Sequence, residues 1–149
     1  MPKPWYPHLV VAAIIECDGK FLMIEERSDG LQVINQPAGH VEKGETLIQA
    51  ALRETLEETG WHVELQSITG FYQYHSPHND ITYFRCCFNG TVKQQVTRDL
   101  DDGIIRTLWL SYEEIKAIEN HLRSPLVLTC IEDYLKGQRF ALDSISYLL

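Results

Sequence analysis

No stretch of this 149-residue sequence is apolar for long enough to cross a bilayer. The apolar run near the N-terminus is LVVAAII, residues 9–15, whereas a spanning helix needs about 20 such residues. Glu16 and Asp18 follow that run, and it lacks a basic flank of the right shape and a small-residue cleavage site, so a signal peptide is not expected. Positive charge is also scarce. Lys and Arg number 13 against 21 Asp and Glu, for a formal net charge of −8. Broad binding to a nucleic acid polymer rests on cations that neutralise phosphates, and this balance argues against it. A small phosphorylated ligand stays open, because a metal ion can supply the missing charge. Cysteine is sparse: Cys17, Cys86, Cys87 and Cys130 form no C-x-x-C and have no zinc-type spacing to histidine. They read as reduced thiols of a cytoplasmic protein, mostly packed in a core. Cys86 and Cys87 are adjacent in a β-like run and should face opposite ways.

What is present suffices for a folded domain. Hydrophobic residues make up 44% of the chain, and a chain of this size buries about two-thirds of its unfolded surface. One domain over residues 1–149 is expected. Residues 8–16 and 20–26 are apolar runs joined through Asp18-Gly19, a hairpin signal. A short run then leaves through Asn35-Gln36-Pro37-Ala38-Gly39 into a loop. Thr46 and Gln49 fit a capping box that starts a helix, and Gly60 fits its C-terminal stop. Residues 61–75, 81–90 and 104–110 are β-like. Ser111 and Glu114 form a second capping box, and Ser124-Pro125 opens a last helix that ends near Gly137. Strands mixed with three helices imply an α/β domain whose helices cover a mixed sheet.

The unusual segment is GHVEKGETLIQAALRETLEETGW, residues 39–61. Helical spacing puts Glu54, Glu57 and Glu58 on one face. Leu47, Ile48, Ala51, Leu52 and Leu56 cover much of the other half, which should pack on a sheet. Like charges on neighbouring helix positions repel unless something neutralises them, and a hard divalent cation does so. Mg²⁺ prefers oxygen ligands and shares its shell with water and substrate phosphates. A solvated, glutamate-rich helix face is the plainer alternative.

Gly39, Glu45, Arg53, Glu54, Glu57, Glu58 and Gly60 all fall on the pattern G-x5-E-x7-R-E-U-x-E-E-x-G-U, where U is a bulky aliphatic residue. The segment therefore resembles the Nudix box. Thr55 and Trp61 occupy the two U positions and depart from it. QPAGHVE ahead of the box, Phe84-Arg85, LRSPLV at 122–127 and GQRF at 137–140 extend the likeness towards the NudJ branch of Nudix phosphatases. The resemblance implies a Nudix-type α/β/α sandwich with a mixed β-sheet, and Mg²⁺-dependent cleavage of a small substrate with a diphosphate linkage; Mn²⁺ is an alternative ion. It implies Glu54, Glu57, Glu58 and the backbone carbonyl of Ala38 as metal ligands. Arg53 would orient the carboxylates and Glu45 would steady the loop. Glu54 is the first choice of general base, with Asp99, Asp101 and Asp102 in a loop that can take that role. Similar enzymes release orthophosphate from nucleoside tri- and diphosphates and from thiamine-pathway diphosphates, including hydroxymethylpyrimidine diphosphate and thiamine diphosphate.

Arg85, a charge inside the apolar run YFRCCF, reads as a phosphate contact, because a guanidinium matches phosphate geometry. An outward-pointing residue or a buried carboxylate pair are the alternatives. Arg27 is a second candidate of the same kind, and Arg123 is read as pinning the last helix. The rival activity is an ADP-ribose or nucleotide-sugar pyrophosphatase. A nucleotide-sensing Nudix domain without catalysis is disfavoured by the intact glutamates. No membrane partner is expected, and the chain is read as a monomer or homodimer.

Overall fold

The hairpin signal at Asp18-Gly19 is realised in a computed structural model that describes all 149 residues. Both residues have positive φ there, and they join β1 (His8–Cys17) to β2 (Lys20–Ser28). Next come β3 (Leu31–Asn35) and a short β4 (Ala38–His40). Helix α1 (Leu47–Thr59) is followed directly by β5 (Trp61–His75), then β6 (Thr82–Gln95) and β7 (Ile104–Ser111). Helices α2 (Tyr112–Ala117) and α3 (Pro125–Leu135) complete the chain, with short 3₁₀ turns after each.

All three expected helix starts form. Thr46 accepts from Gln49 N–H while the Gln49 side chain accepts from Thr46 N–H. Ser111 and Glu114 repeat the arrangement, and Ser124 caps α3 by accepting from Leu126 N–H ahead of Pro125. Gly60 ends α1 at φ 77°, a left-handed conformation that glycine adopts at no steric cost.

The sheet is mixed, with strand order β3-β2-β1-β6-β5; β4 pairs with β1 and β7 with β2. β1 and β6 run parallel from His8↔Tyr83 to Ile15↔Gly90, and the other pairs are antiparallel. Alternation along β1 sends Val11, Ala13 and Ile15 to one face and Ala12 and Ile14 to the other. The first set joins Leu22, Phe88, Ala50 and Ala51 beneath α1. The second joins Phe21, Met23, Ile115, Val127 and Ile131 beneath α2 and α3. Helices on both faces of one sheet make an α/β/α sandwich. Cys86 faces α1 and Cys87 faces α3, as adjacent strand positions require, and all four cysteines are free thiols.

The buried side of α1 is narrower than its leucines suggest. Ala50, Ala51, Thr55, Glu58 and Thr59 are buried, whereas Leu52 is 36% exposed. Small residues let the helix lie close on the sheet, and close approach leaves a longer Leu52 at the rim. Thr55 fits the position of a bulky aliphatic residue because its hydroxyl donates to Ala51 O at 2.7 Å, leaving its methyl to pack. Trp61 packs edge-to-face on Trp109, ring centroids 6.2 Å apart. No helix is long and apolar enough to cross a membrane.

Candidate active site

The carboxylates of α1 meet one cation from their own helix. Arg53 Nε donates to Glu45 Oε2 at 2.7 Å, and its Nη1 donates to Glu54 at 2.8 Å and Glu57 at 3.3 Å. Its Nη2 donates to Glu45 Oε1 and to the backbone carbonyl of His40, both at 3.0 Å. One guanidinium thus ties the loop, strand β4 and two helical glutamates into a fixed frame. Those bonds hold the Glu45 carboxyl below its ordinary range and the Arg53 guanidinium above its own. Glu45 also accepts from Glu42 N–H at 2.9 Å, which closes the loop ahead of the helix.

Gly39 explains why the loop needs a residue without a side chain. A Cβ there would lie 2.2 Å from Glu54 Cδ and 2.4 Å from each of its carboxylate oxygens. The Glu54 carboxyl therefore rests on the Gly39 backbone. Burial raises its pKa, with the Arg53 bonds opposing.

Asp101 arrives from the loop between β6 and β7, where its N–H donates to Glu57 O at 3.0 Å. Carboxylate oxygens of Glu54, Glu57 and Asp101 all lie within 4.8 Å of one another. Asp99 and Asp102 are exposed and outside this cluster. The donor set is all oxygen, and Arg53 bonds two of its members but not Asp101. A hard divalent cation fits such a set better than a transition metal that seeks nitrogen or sulfur. Glu58 stands beside the trio, not within it. Its Oε1 accepts from Ala38 N–H at 2.8 Å, and burial pushes its pKa up to about 9 against that hydrogen bond. Glu58 and Ala38 are thus neighbours, as the resemblance implies, but here they are bonded to each other.

Two expected phosphate contacts do not join the cluster. Arg85 is 5% exposed on the α3 face of the sheet. Its Nη1 donates to Gln36 Oε1 at 3.0 Å and lies 4.0 Å from Cys130 Sγ, with no carboxylate partner and with Nε unpaired. Its β6 position points it away from α1. Arg27 is exposed on β2 and contributes only backbone, its N–H donating to Gly103 O.

Sequence reasoning missed Glu26, and with it the contact that Arg123 makes. Glu26 is 8% exposed and accepts from Asn35 Nδ2 at 3.2 Å and Arg123 Nη1 at 2.9 Å. Its charge is among those that raise the Glu58 pKa. The only sequence signal was an acid at the end of the apolar β2 run. Arg123 reaches across from the turn before α3, a contact that no local pattern announces.

A NUDIX domain profile matches residues 6–128. The chain is 41% identical over 140 residues to phosphatase NudJ of Escherichia coli K12, covering 93% of this chain and 90% of that protein. Phosphatase NudJ of Shigella flexneri matches to the same extent. A solved NUDIX hydrolase from Nitrosomonas europaea superposes with a TM-score of 0.92 at 46% identity, over 95% of this chain and 97% of that one. The family profile and these full-length likenesses agree with the carboxylate site: this chain belongs to the Nudix family and is a hydrolase of phosphoric anhydrides similar to the NudJ phosphatases.

Proposed function

We propose that the protein is an Mg²⁺-dependent phosphatase that releases orthophosphate from nucleoside tri- and diphosphates and from thiamine-pathway diphosphates such as hydroxymethylpyrimidine diphosphate or thiamine diphosphate. One observation carries the reading: the oxygens of Glu54, Glu57 and Asp101 within 4.8 Å of one another. Glu54, Glu57 and Asp101 would hold the ion, with Glu58 and the Ala38 carbonyl completing its surroundings. When bound, the ion supplies positive charge to the phosphoryl oxygens and acidifies an attacking water. Glu54, fixed by Arg53 and resting on Gly39, would take the proton from that water. Arg53 and Glu45 keep the carboxylates aligned before substrate arrives.

The test is a phosphate-release screen over nucleotides, nucleotide sugars and thiamine-pathway diphosphates, with Mg²⁺ and with EDTA. Orthophosphate from terminal diphosphates, lost with EDTA and regained with Mg²⁺, supports the reading. Cleavage of ADP-ribose into two nucleotide-sized products would replace it with a pyrophosphatase.

A further inference from the structure

We propose that Arg123 is a phosphate-docking residue, its guanidinium braced by Glu26 and Asn35 so that its free edge receives substrate oxygens outside the carboxylate cluster. The proposal rests on the diphosphatase reading above and extends it to a residue outside the box.

Arg53 has no donor to spare. A guanidinium carries five N–H groups, and Arg53 makes five contacts with protein oxygens from Nε, Nη1 and Nη2. It serves the carboxylates and leaves nothing for substrate. Arg123 differs. Its only side-chain hydrogen bond runs from Nη1 to Glu26 Oε2 at 2.9 Å, so Nε and Nη2 have no protein acceptor. The side chain is 41% exposed, whereas Glu26 beneath it is 11% exposed. An arginine paired on one edge and open on the other is arranged for a bidentate anion.

The base of Arg123 is rigid. Its N–H donates to Ile34 O at 2.8 Å, Leu122 bridges to Ile34, and Ser124 caps α3. Asn35, next in the chain, fixes Glu26 through Nδ2 at 3.2 Å, and its own Oδ1 is buried without a partner. Three residues further on, Ala38 N–H holds Glu58. This short path joins the arginine to the last glutamate of the metal helix. Glu26 is among the charges that raise the Glu58 pKa, and Arg123 among those that lower that of His40. A cation here lies beside an acidic centre that would otherwise repel the outer phosphate of a diphosphate.

The test is calorimetric titration of the full chain, in Mg²⁺, with methylenediphosphonate, a diphosphate mimic that resists hydrolysis. Arg123→Ala should weaken binding about tenfold or more, the loss of one charge-assisted contact. Arg123→Lys should recover part of it, because charge is kept and the planar fork is lost. Mn²⁺ affinity should stay within about twofold of wild type in both, which a general collapse of the site would not allow. In turnover, KM should rise about tenfold with kcat nearly constant, the pattern for a lost ground-state contact. Unchanged diphosphonate affinity in a folded Arg123→Ala, or in Arg123→Lys should alanine fail to fold, overturns the proposal. Arg123-dependent binding without any cleavage by the wild type would instead sustain this docking role and sink the phosphatase reading.

Discussion

Gly39→Ala separates the folding of the box from its chemistry. The substitution adds one methyl group where the backbone has an ordinary negative φ, so the helix and β4 need not rearrange. That methyl would stand 2.4 Å from both Glu54 oxygens. An ordinary carbon–oxygen contact is about 3.4 Å, so the carboxyl must retreat by about 1 Å. The colliding atoms are the end of a flexible side chain, which keeps the folding cost near 1 kcal/mol or below. Retreat breaks the 2.8 Å bond to Arg53 and opens the trio with Glu57 and Asp101. A misplacement of this size at a reacting centre costs on the order of a hundredfold in rate, or about 2.7 kcal/mol of barrier. The assay is orthophosphate release under saturating Mg²⁺, with a thermal melt beside it. The expected result is a melting temperature within about 4 °C of wild type and kcat/KM down about a hundredfold. Wild-type kcat/KM in a folded Gly39→Ala protein would refute the role of Glu54 placement.

Other perturbations bear on the same frame. Arg53→Lys keeps the charge but cannot make five contacts from one planar group, so activity should fall about a hundredfold or more. The same variant should melt a few degrees lower, and parallel kinetics and melts check both. Thr55→Val should change stability by less than about 1 kcal/mol by chemical denaturation, because the buried hydroxyl only back-bonds to Ala51 O. The metal-free protein should lose stability as pH rises. Burial raises Glu58 from 4.5 to about 9, so the folded chain holds a proton there that the unfolded chain releases. That contribution is complete below the unfolded value and disappears as pH climbs through the folded one, at up to roughly 1.4 kcal/mol per pH unit. Melts between about pH 6 and pH 8.5 should therefore show a falling midpoint without Mg²⁺ and a larger Mg²⁺ rescue at the alkaline end.

Local signals carried much of the fold. The Asp18-Gly19 hairpin, both capping boxes, the Ser124-Pro125 start and the Gly60 stop each depend on residues within a turn of one another. The box glutamates were legible for the same reason, since helical spacing fixes which side chains are neighbours. Register between distant strands was not. β4 is three residues long, and only its pairing with β1 makes it a strand. Asp101 reaches Glu57 because β6 and β7 are joined by a loop that returns past the end of α1. Arg123 meets Glu26 across a separation that no periodicity encodes. The partners of Arg85 were not legible either, because Gln36 and Cys130 come from elements far from it in the chain. Leu52 was misassigned because leucine content overstated how deeply α1 sinks into the sheet.

The loop aspartate puts the divalent-cation site to its sharpest trial. Mn²⁺ titration followed by electron paramagnetic resonance should show Asp101→Asn binding the ion at least about tenfold more weakly than wild type, while Asp99→Asn binds it unchanged. Equal affinity in wild type and Asp101→Asn would contradict a cation held between Glu54, Glu57 and Asp101.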